Sequence, residues 1–315
     1  MSSRRAAIVL GLALAAVAAR AHAQPAAQGF AFERFYPAPS GAGWLVLDDL
    51  NIPSSVGGAI GLALSYEHDP LRISSGGTTL DVVSDKLFAD IGGSFTYARW
   101  RFYLDFDTPF LITGDSGTVG GYAFTAPSVD PSSHPDPIED IRVGVDRLVL
   151  GNPGDPLRVG GSAQLYIPND SREDYTTDRD FRGMLRALVA GDIGRFTYAG
   201  ELGMHIRPLD EAPAPGTPRG SELLFGIAGG ARMPLACGTW SAVFGAELYG
   251  ASAFRSLFES ETTAFEGMVS TRLEQLAGEG RRLRIKLGLG VGIVPDFGAP
   301  EFRAVVAIDM FGEAR

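Results

Sequence analysis

Charged side chains in this sequence recur at every second position of otherwise aliphatic segments, and that spacing limits the chemistry they can do. In RRLRIKLGLGVGIV, residues 281 to 294, Leu283, Ile285, Leu287, Leu289, Val291 and Ile293 alternate with Arg284, Lys286, Gly288, Gly290 and Gly292. In 195 to 207, Phe196, Tyr198, Leu202, Met204 and Ile206 alternate with a set that includes Glu201, His205 and Arg207. Applied along the chain, the same parity collects Arg182, Arg186, Glu201, His205, Arg207, Glu247, Glu266, Arg272, Glu274, Arg282, Arg284 and Lys286 as candidates for one lining. It adds Arg101, Arg142, Arg158, Arg195, Arg232 and Arg303, with Asp90, Asp105, Asp107, Asp146, Glu222 and Asp309. Two chemistries are open to such a set: a pore lining that selects small polar solutes, or ion pairs that fill a polar interior.

Catalytic and cofactor chemistries fit the residues less well. His205 would need a serine and a carboxylate converging on it to act as a hydrolase base. Asp105 and Asp107 share a face, yet read as ion-pair partners rather than an acid/base couple. Gly288, Gly290 and Gly292 imitate part of a dinucleotide fingerprint, but Pro295 stands where the helix should start. The loop NDSREDYTTDRD, 169 to 180, is acidic without the glycine and spacing of a calcium loop. The expectation is a protein that is not an enzyme, with no cofactor and no metal.

Strict alternation requires strands, because successive side chains leave a strand on opposite faces. About twelve segments show it, near 56–67, 87–98, 100–110, 139–149, 156–167, 181–192, 195–207, 221–232, 239–250, 264–276, 281–294 and 299–311, with fourteen strands as the alternative. Arg147 interrupts the apolar face of 139–149. Short connections (99–100, 151–156, 193–194, 233–238, 277–280) alternate with long ones (the hairpin tip SSGGTT, 111–137, 168–180, 208–219, 251–263). A soluble sandwich has no reason to do this, whereas an outer-membrane barrel has short periplasmic turns and longer external loops. Trp100, Trp240, Phe181, Phe196, Phe265 and Phe302 near strand ends suit the aromatic girdles of such a barrel. The fold class is therefore all-β, an antiparallel transmembrane β-barrel of outer-membrane type.

Residues 1–23 read as a secretory signal peptide, with Arg4 and Arg5 before an apolar stretch and Ala21-His22-Ala23 after it. Removing Arg4, Arg5 and Arg20 leaves 24 of the 27 basic residues against all 37 acidic ones, a formal charge of −13. Nucleic acid is an unsuitable partner for that charge. Cys237 is the single cysteine, so export brings no disulfide framework. Residues 24–55 precede the barrel at 56–311 as a periplasmic segment or a plug, and Trp44 to Leu50 fits a short strand, a plug or a barrel strand equally. An even strand count places both termini on the periplasmic side.

Four segments, GFAFERFYPAPSGAGWLVLDDL, ALVAGDIGRFTYAGELGMHIR, GSELLFGIAGGARM and FGAPEFRAVVAIDMF, together resemble the N-terminal barrel region of bacterial OmpA-family outer-membrane proteins. The likeness runs from about Gly29 to Phe311. It implies a location in the outer membrane, in contact with lipid and lipopolysaccharide, without the peptidoglycan-binding domain that commonly follows in that family. The expected function is a narrow porin or channel for small hydrophilic solutes, monomeric and weakly anion-selective; the alternative is a non-conducting barrel acting through its external loops. Register arguments set Arg186 opposite Glu201, Arg182 opposite His205, and Glu274 opposite Arg282 or Arg284. Glycines 288, 290 and 292 are expected to widen one wall of the bore.

Overall fold

The computed structural model describes residues 25–135, 138–169, 172–209, 220–236, 238–276, 281–295 and 297–313. The signal at 1–23, the turn at 277–280 and most of the loop 208–219 lie outside them. In chain order the strands are β1 (Gly57–Ser75), β2 (Thr78–Tyr97), β3 (Trp100–Thr113), β4 (Gly117–Val119), β5 (Tyr122–Phe124), β6 (Ile141–Leu150) and β7 (Arg158–Ile167). They continue with β8 (Arg182–Ile193), β9 (Phe196–Ile206), β10 (Glu222–Pro234), β11 (Trp240–Ala253), β12 (Thr263–Gln275), β13 (Arg282–Val294) and β14 (Phe302–Glu313). Twelve of them close into an antiparallel barrel, with β1 paired to β14 and β3 to β6, while β4 and β5 form a separate hairpin in the long β3–β6 connection.

Closure follows from the ladders and the alternation. Each of the twelve barrel strands has a partner on both sides, so the barrel has no edge. The aliphatic parity faces outward: Ile60, Leu62, Leu104, Leu185, Leu202, Ile227, Val269, Leu287, Leu289 and Ile308 are all exposed on the outer wall. An apolar belt of that extent has no place in water; it matches the lipid face of an outer-membrane barrel. Trp100, Phe196 and Trp240 rim the end with the short turns, and Phe181, Phe265 and Phe302 the end with the long loops. Arg147 does break the outer face, but at the turn-end rim, where its guanidinium lies 4.7 Å from the Trp100 ring centre and donates to the Ala98 carbonyl at 2.6 Å.

Two register expectations fare differently. Glu274 pairs with Arg284 across β12 and β13. Across β8 and β9, Arg186 lies opposite Gly203, Leu188 opposite Glu201 and Met184 opposite His205, a shift of two residues from the expected pairing. The cause is the turn, whose two loop residues are Gly194, in the left-handed region at φ +62°, and Arg195. A two-residue shift conserves parity, so Arg186 and Glu201 still share the inner face and meet diagonally at 3.0 Å. Arg195, placed inside by parity, is instead exposed in that turn.

The long-loop mouth carries a second apolar core. The β1–β2 hairpin projects beyond the barrel, and its Leu71, Ile73, Val82 and Val83 pack with Ile112, Val119, Phe124, Val129, Leu209 and Phe297 of other loop-end segments. Lipid exposure of the barrel wall sets the test of this architecture. Leu287, 45% exposed in the middle of β13, replaced by Arg should lower folding stability in bilayers by about 2 to 4 kcal/mol. Urea titration of the folded barrel in lipid vesicles measures it, and a loss within about 0.5 kcal/mol of zero would contradict a lipid-facing wall.

Candidate functional site

The lumen is occupied. Residues 30–52 pass through it, and Phe30, Phe32, Phe35, Trp44, Leu45, Val46, Leu47, Leu50 and Ile52 are all buried. The segment forms no regular strand. It turns back on itself where Ala42 N–H donates to the Pro39 carbonyl at 2.9 Å and Ala38 N–H to the Leu45 carbonyl at 2.8 Å, with Gly41 at φ +89°. Prolines 37 and 39 and the glycines at 41 and 43 deny it a ladder of its own. Its peptide groups must therefore find partners on the barrel wall.

Wall side chains supply those partners. Glu247, fully buried on β11, accepts the amide hydrogens of Leu45, Val46 and Leu47 at 3.0, 2.9 and 3.2 Å. Lys286 donates to the carbonyls of Ala42 and Trp44 at 3.3 and 3.2 Å, and Arg284 to those of Gly41 and Ala42 at 2.6 and 2.9 Å. Arg142 reaches the Pro37 carbonyl at 2.6 Å and Arg158 the Asp49 carbonyl at 2.9 Å. Near the loop mouth both sides of one residue are clamped: Ala31 N–H donates to Asp178 at 2.9 Å while Arg207 donates to the Ala31 carbonyl at 3.0 Å.

Ion pairs tie the segment's own charges to the wall. Arg34 meets Glu222 at 2.6 Å, Asp49 meets Arg272 at 3.5 Å, and Asp48 bonds Arg101. Glu33 stands between Lys86 at 3.6 Å and Arg303 at 3.3 Å. Arg303 also holds Glu67 and, at 2.9 Å, Glu266.

Glycines on the inner face are sockets for apolar side chains. A Cβ on Gly288 would lie 2.4 Å from Leu45 Cδ1, one on Gly245 2.8 Å from the Trp44 ring, one on Gly226 2.9 Å from Leu47 and one on Gly160 2.9 Å from Leu50. The expectation that glycines widen the bore is thus corrected: the space they leave at Gly288 is filled by Leu45.

The twelve proposed lining residues all belong to the inner face or its rim. Arg182, Arg186, His205, Arg207, Glu247, Glu266, Arg272, Arg284 and Lys286 are buried, Glu201 and Glu274 partly so, and Arg282 stands at the turn mouth over Phe311 at 4.7 Å. They face the inner segment and one another, so the open bore that a narrow porin would need is filled. Arg182 pairs with Asp140 at 2.7 Å rather than with His205. His205 is fully buried with its Nδ1 at 3.3 Å from both Glu222 and the Tyr36 hydroxyl, and no serine hydrogen-bonds to it among the described residues. Asp105 meets Arg142 at 3.2 Å, whereas Asp107 lies across from Asp90. Of the acidic loop at 169–180, Asp178 is taken by Arg207 at 2.6 Å. The ligand-bearing atoms that do cluster, on His68, Asp69 and Glu301 at the loop rim, include a Glu301 already bonded by Arg72 at 2.5 Å.

Sequence reasoning left residues 24–55 open between a periplasmic segment and a plug, and named none of them among the residues of the site. The signal for the inner segment was the apolar run Trp44-Leu45-Val46-Leu47 ahead of Asp48 and Asp49, together with glycines at inward parity.

No described protein family matches the sequence, and neither does any curated protein. Among solved structures, an outer-membrane channel from Pseudomonas putida F1 is similar at a TM-score of 0.49 and 12% identity, covering 88% of this chain and 100% of that one. The porin NanC is similar at 0.46 and 8%, covering 81% and 100%. The β domain of the Bordetella autotransporter BrkA is similar at 0.40 and 13%, covering 82% and 100%. At those values the likenesses say nothing of activity, and the class rests on the ladders and belt of this chain: a closed twelve-stranded barrel of outer-membrane type, filled by its own N-terminal segment.

Three expected outcomes test how the segment is held. Glu247→Ala should raise amide hydrogen exchange at Leu45 to Val46 and Leu47 by at least tenfold, since each orphaned buried amide costs about 1 to 3 kcal/mol, and Glu247→Gln should fall between. Gly288→Val should destabilise the barrel by about 1 to 3 kcal/mol through overpacking, and by clearly less when Leu45 is also Ala, in a double-mutant cycle. The third concerns Asp178, outside the strands. Burial opposes its charge, but Arg207 and Arg182, with the Ala31 amide, hold its carboxyl well below the usual carboxylate range. A depressed folded pKa means the stabilisation is complete above about pH 4 and is lost as pH falls through the folded value. Asp178→Asn should remove that part of the acid dependence in unfolding titrations.

Proposed function

We propose that this chain is an exported outer-membrane barrel that is closed at rest by residues 30–52 and works at the cell surface through its loop-end cap, as a monomer surrounded by lipid and lipopolysaccharide. The single observation behind this reading is the seating of Trp44 to Leu47 in the wall, with main chain on Glu247 and side chains in glycine sockets. Twelve strands at about 4.8 Å spacing and 40° tilt enclose a backbone radius of roughly 12 Å. Inward side chains and one threaded segment fill that space. The signal-like residues 1–23 and the resemblance to OmpA-family barrels fit the same location.

A narrow porin for small hydrophilic solutes is the second reading. It is favoured by a vestibule of about 340 Å³ at the turn mouth, lined by Arg282, Arg284, Gly41 and Phe311 among others. Conduction then requires residues 30–52 to withdraw, and the exposed basic lining would give weak anion preference.

Planar-bilayer recordings separate the two. Full-length protein is expected to be silent or to flicker, whereas a deletion of residues 29–53 should conduct steadily with weak anion preference. A steady full-length conductance equal to that of the deletion would refute closure.

A further inference from the structure

The inner segment joins the two mouths of the barrel, and which end lies at which mouth is unexpected. At its start, Ala27 N–H donates to the Ala123 carbonyl at 2.8 Å, Ala123 N–H to the Pro25 carbonyl at 3.1 Å, and the Gly29 carbonyl accepts from Arg172. Phe30 packs on Tyr175 and Phe297 with ring centres 5.8 and 5.9 Å apart. Those partners belong to the connections after β3, β7 and β13, all at the long-loop mouth. At its end, the carbonyls of Pro53 and Ser54 accept from Arg99 and Ala98 in the β2–β3 turn, at the opposite mouth, and β1 then begins at Gly57. The expectation that both termini lie on the turn side is therefore met by β14 but not by Pro25.

Main-chain capture is what the wall does along this path. Glu247 takes three successive amide hydrogens; Arg142, Arg158, Arg207, Arg284 and Lys286 take carbonyls from Ala31 to Asp49. Groups that bind peptide N–H and C=O grip a polypeptide whatever its side chains, and the glycine sockets add selectivity at Trp44, Leu45 and Leu47. Beyond Phe30 the chain leaves this grip, and Pro25, Ala26 and Gln28 are exposed.

We propose that the lumen is a binding site for a non-helical polypeptide main chain, and that it holds the N-terminal segment so that residues up to Gln28 are presented on the outer face of the membrane. The barrel is then an anchor that displays its own N-terminal end. This rests on the outer-membrane reading, in which the long loops face outward. Lateral entry is closed to the segment, because opening any seam breaks a full strand ladder. It is either in place before the barrel closes or passes lengthwise.

Single-cysteine variants in a Cys237→Ser background test the display in whole cells. Gln28→Cys reports the N-terminal end, Thr78→Cys the loop-end hairpin tip and Pro153→Cys a short turn, all three positions being exposed. A polymer-linked maleimide too large for porins is the probe, and Ala26→Cys repeats the report from the N-terminal end while keeping the hydrogen bond that Arg172 donates to Gln28. The expected result is labelling of Gln28→Cys and Thr78→Cys to equal extent on intact cells, at least tenfold above Pro153→Cys, which reacts only after permeabilisation. Labelling of Thr78→Cys with Gln28→Cys and Ala26→Cys silent until permeabilisation overturns the display and leaves the barrel reading standing. Labelling of Pro153→Cys with Thr78→Cys silent overturns both. Heat-modifiable migration on gels identifies the variants that have folded.

Discussion

A peptide segment with no ladder of its own can be buried only if something else meets its hydrogen bonds, and that constraint shapes the inside of this barrel. Proline and glycine between Pro37 and Gly43 rule out a regular strand. Glu247, Arg284 and Lys286 meet the need from the wall, and the Asp178/Arg207 pair does so at the loop mouth. An unmet buried amide or carbonyl costs as much as a lost hydrogen bond. The charged face of the strands is thus best understood as a surface complementary to a main chain.

Buried charges are expensive unless paired, and the pairing here links segment to barrel as well as strand to strand. Arg303 shows both, reaching Glu67 and Glu266 on the wall and Glu33 on the segment. Removing one member would strand the others in a poorly solvated interior. Such networks favour one position of the segment over a sliding set, because a shift by one residue would separate Arg34 from Glu222 and Asp49 from Arg272 together. Glycine sockets act in the same sense through shape: Trp44 has room where Gly245 lacks a Cβ.

The two mouths differ in kind. The turn mouth is a shallow basic vestibule around Arg282 and Arg284. The loop mouth is roofed by an apolar core to which the segment itself contributes Phe30 and Phe32. Closure of the lumen and order in the cap are therefore coupled: withdrawing residues 30–52 would also remove two aromatic side chains from the roof.

Most of the barrel was legible because a strand's side-chain period of two is a local property. Leu283 to Ile293, or Phe196 to Ile206, announce both a lipid face and an inner face without any knowledge of neighbours. The alternation of short and long connections ordered those strands into an up-and-down barrel. Parity alone identified Arg186, Glu201, Glu247 and Lys286 as inner residues, and it failed at Arg195 because a turn's limits depend on backbone geometry at Gly194. What fills the lumen was left open, a plug at 24–55 being one of two readings, and how it is held was not legible. Residues 30–52 have no periodicity, and their partners are far along the chain: Leu45 and Glu247 are 202 residues apart. Sequence by itself determined which face of the strands is the apolar outer one. Only the tertiary structure decided that the other face holds a polypeptide rather than water, and which way that polypeptide runs, because both depend on groups that come together only when the barrel closes.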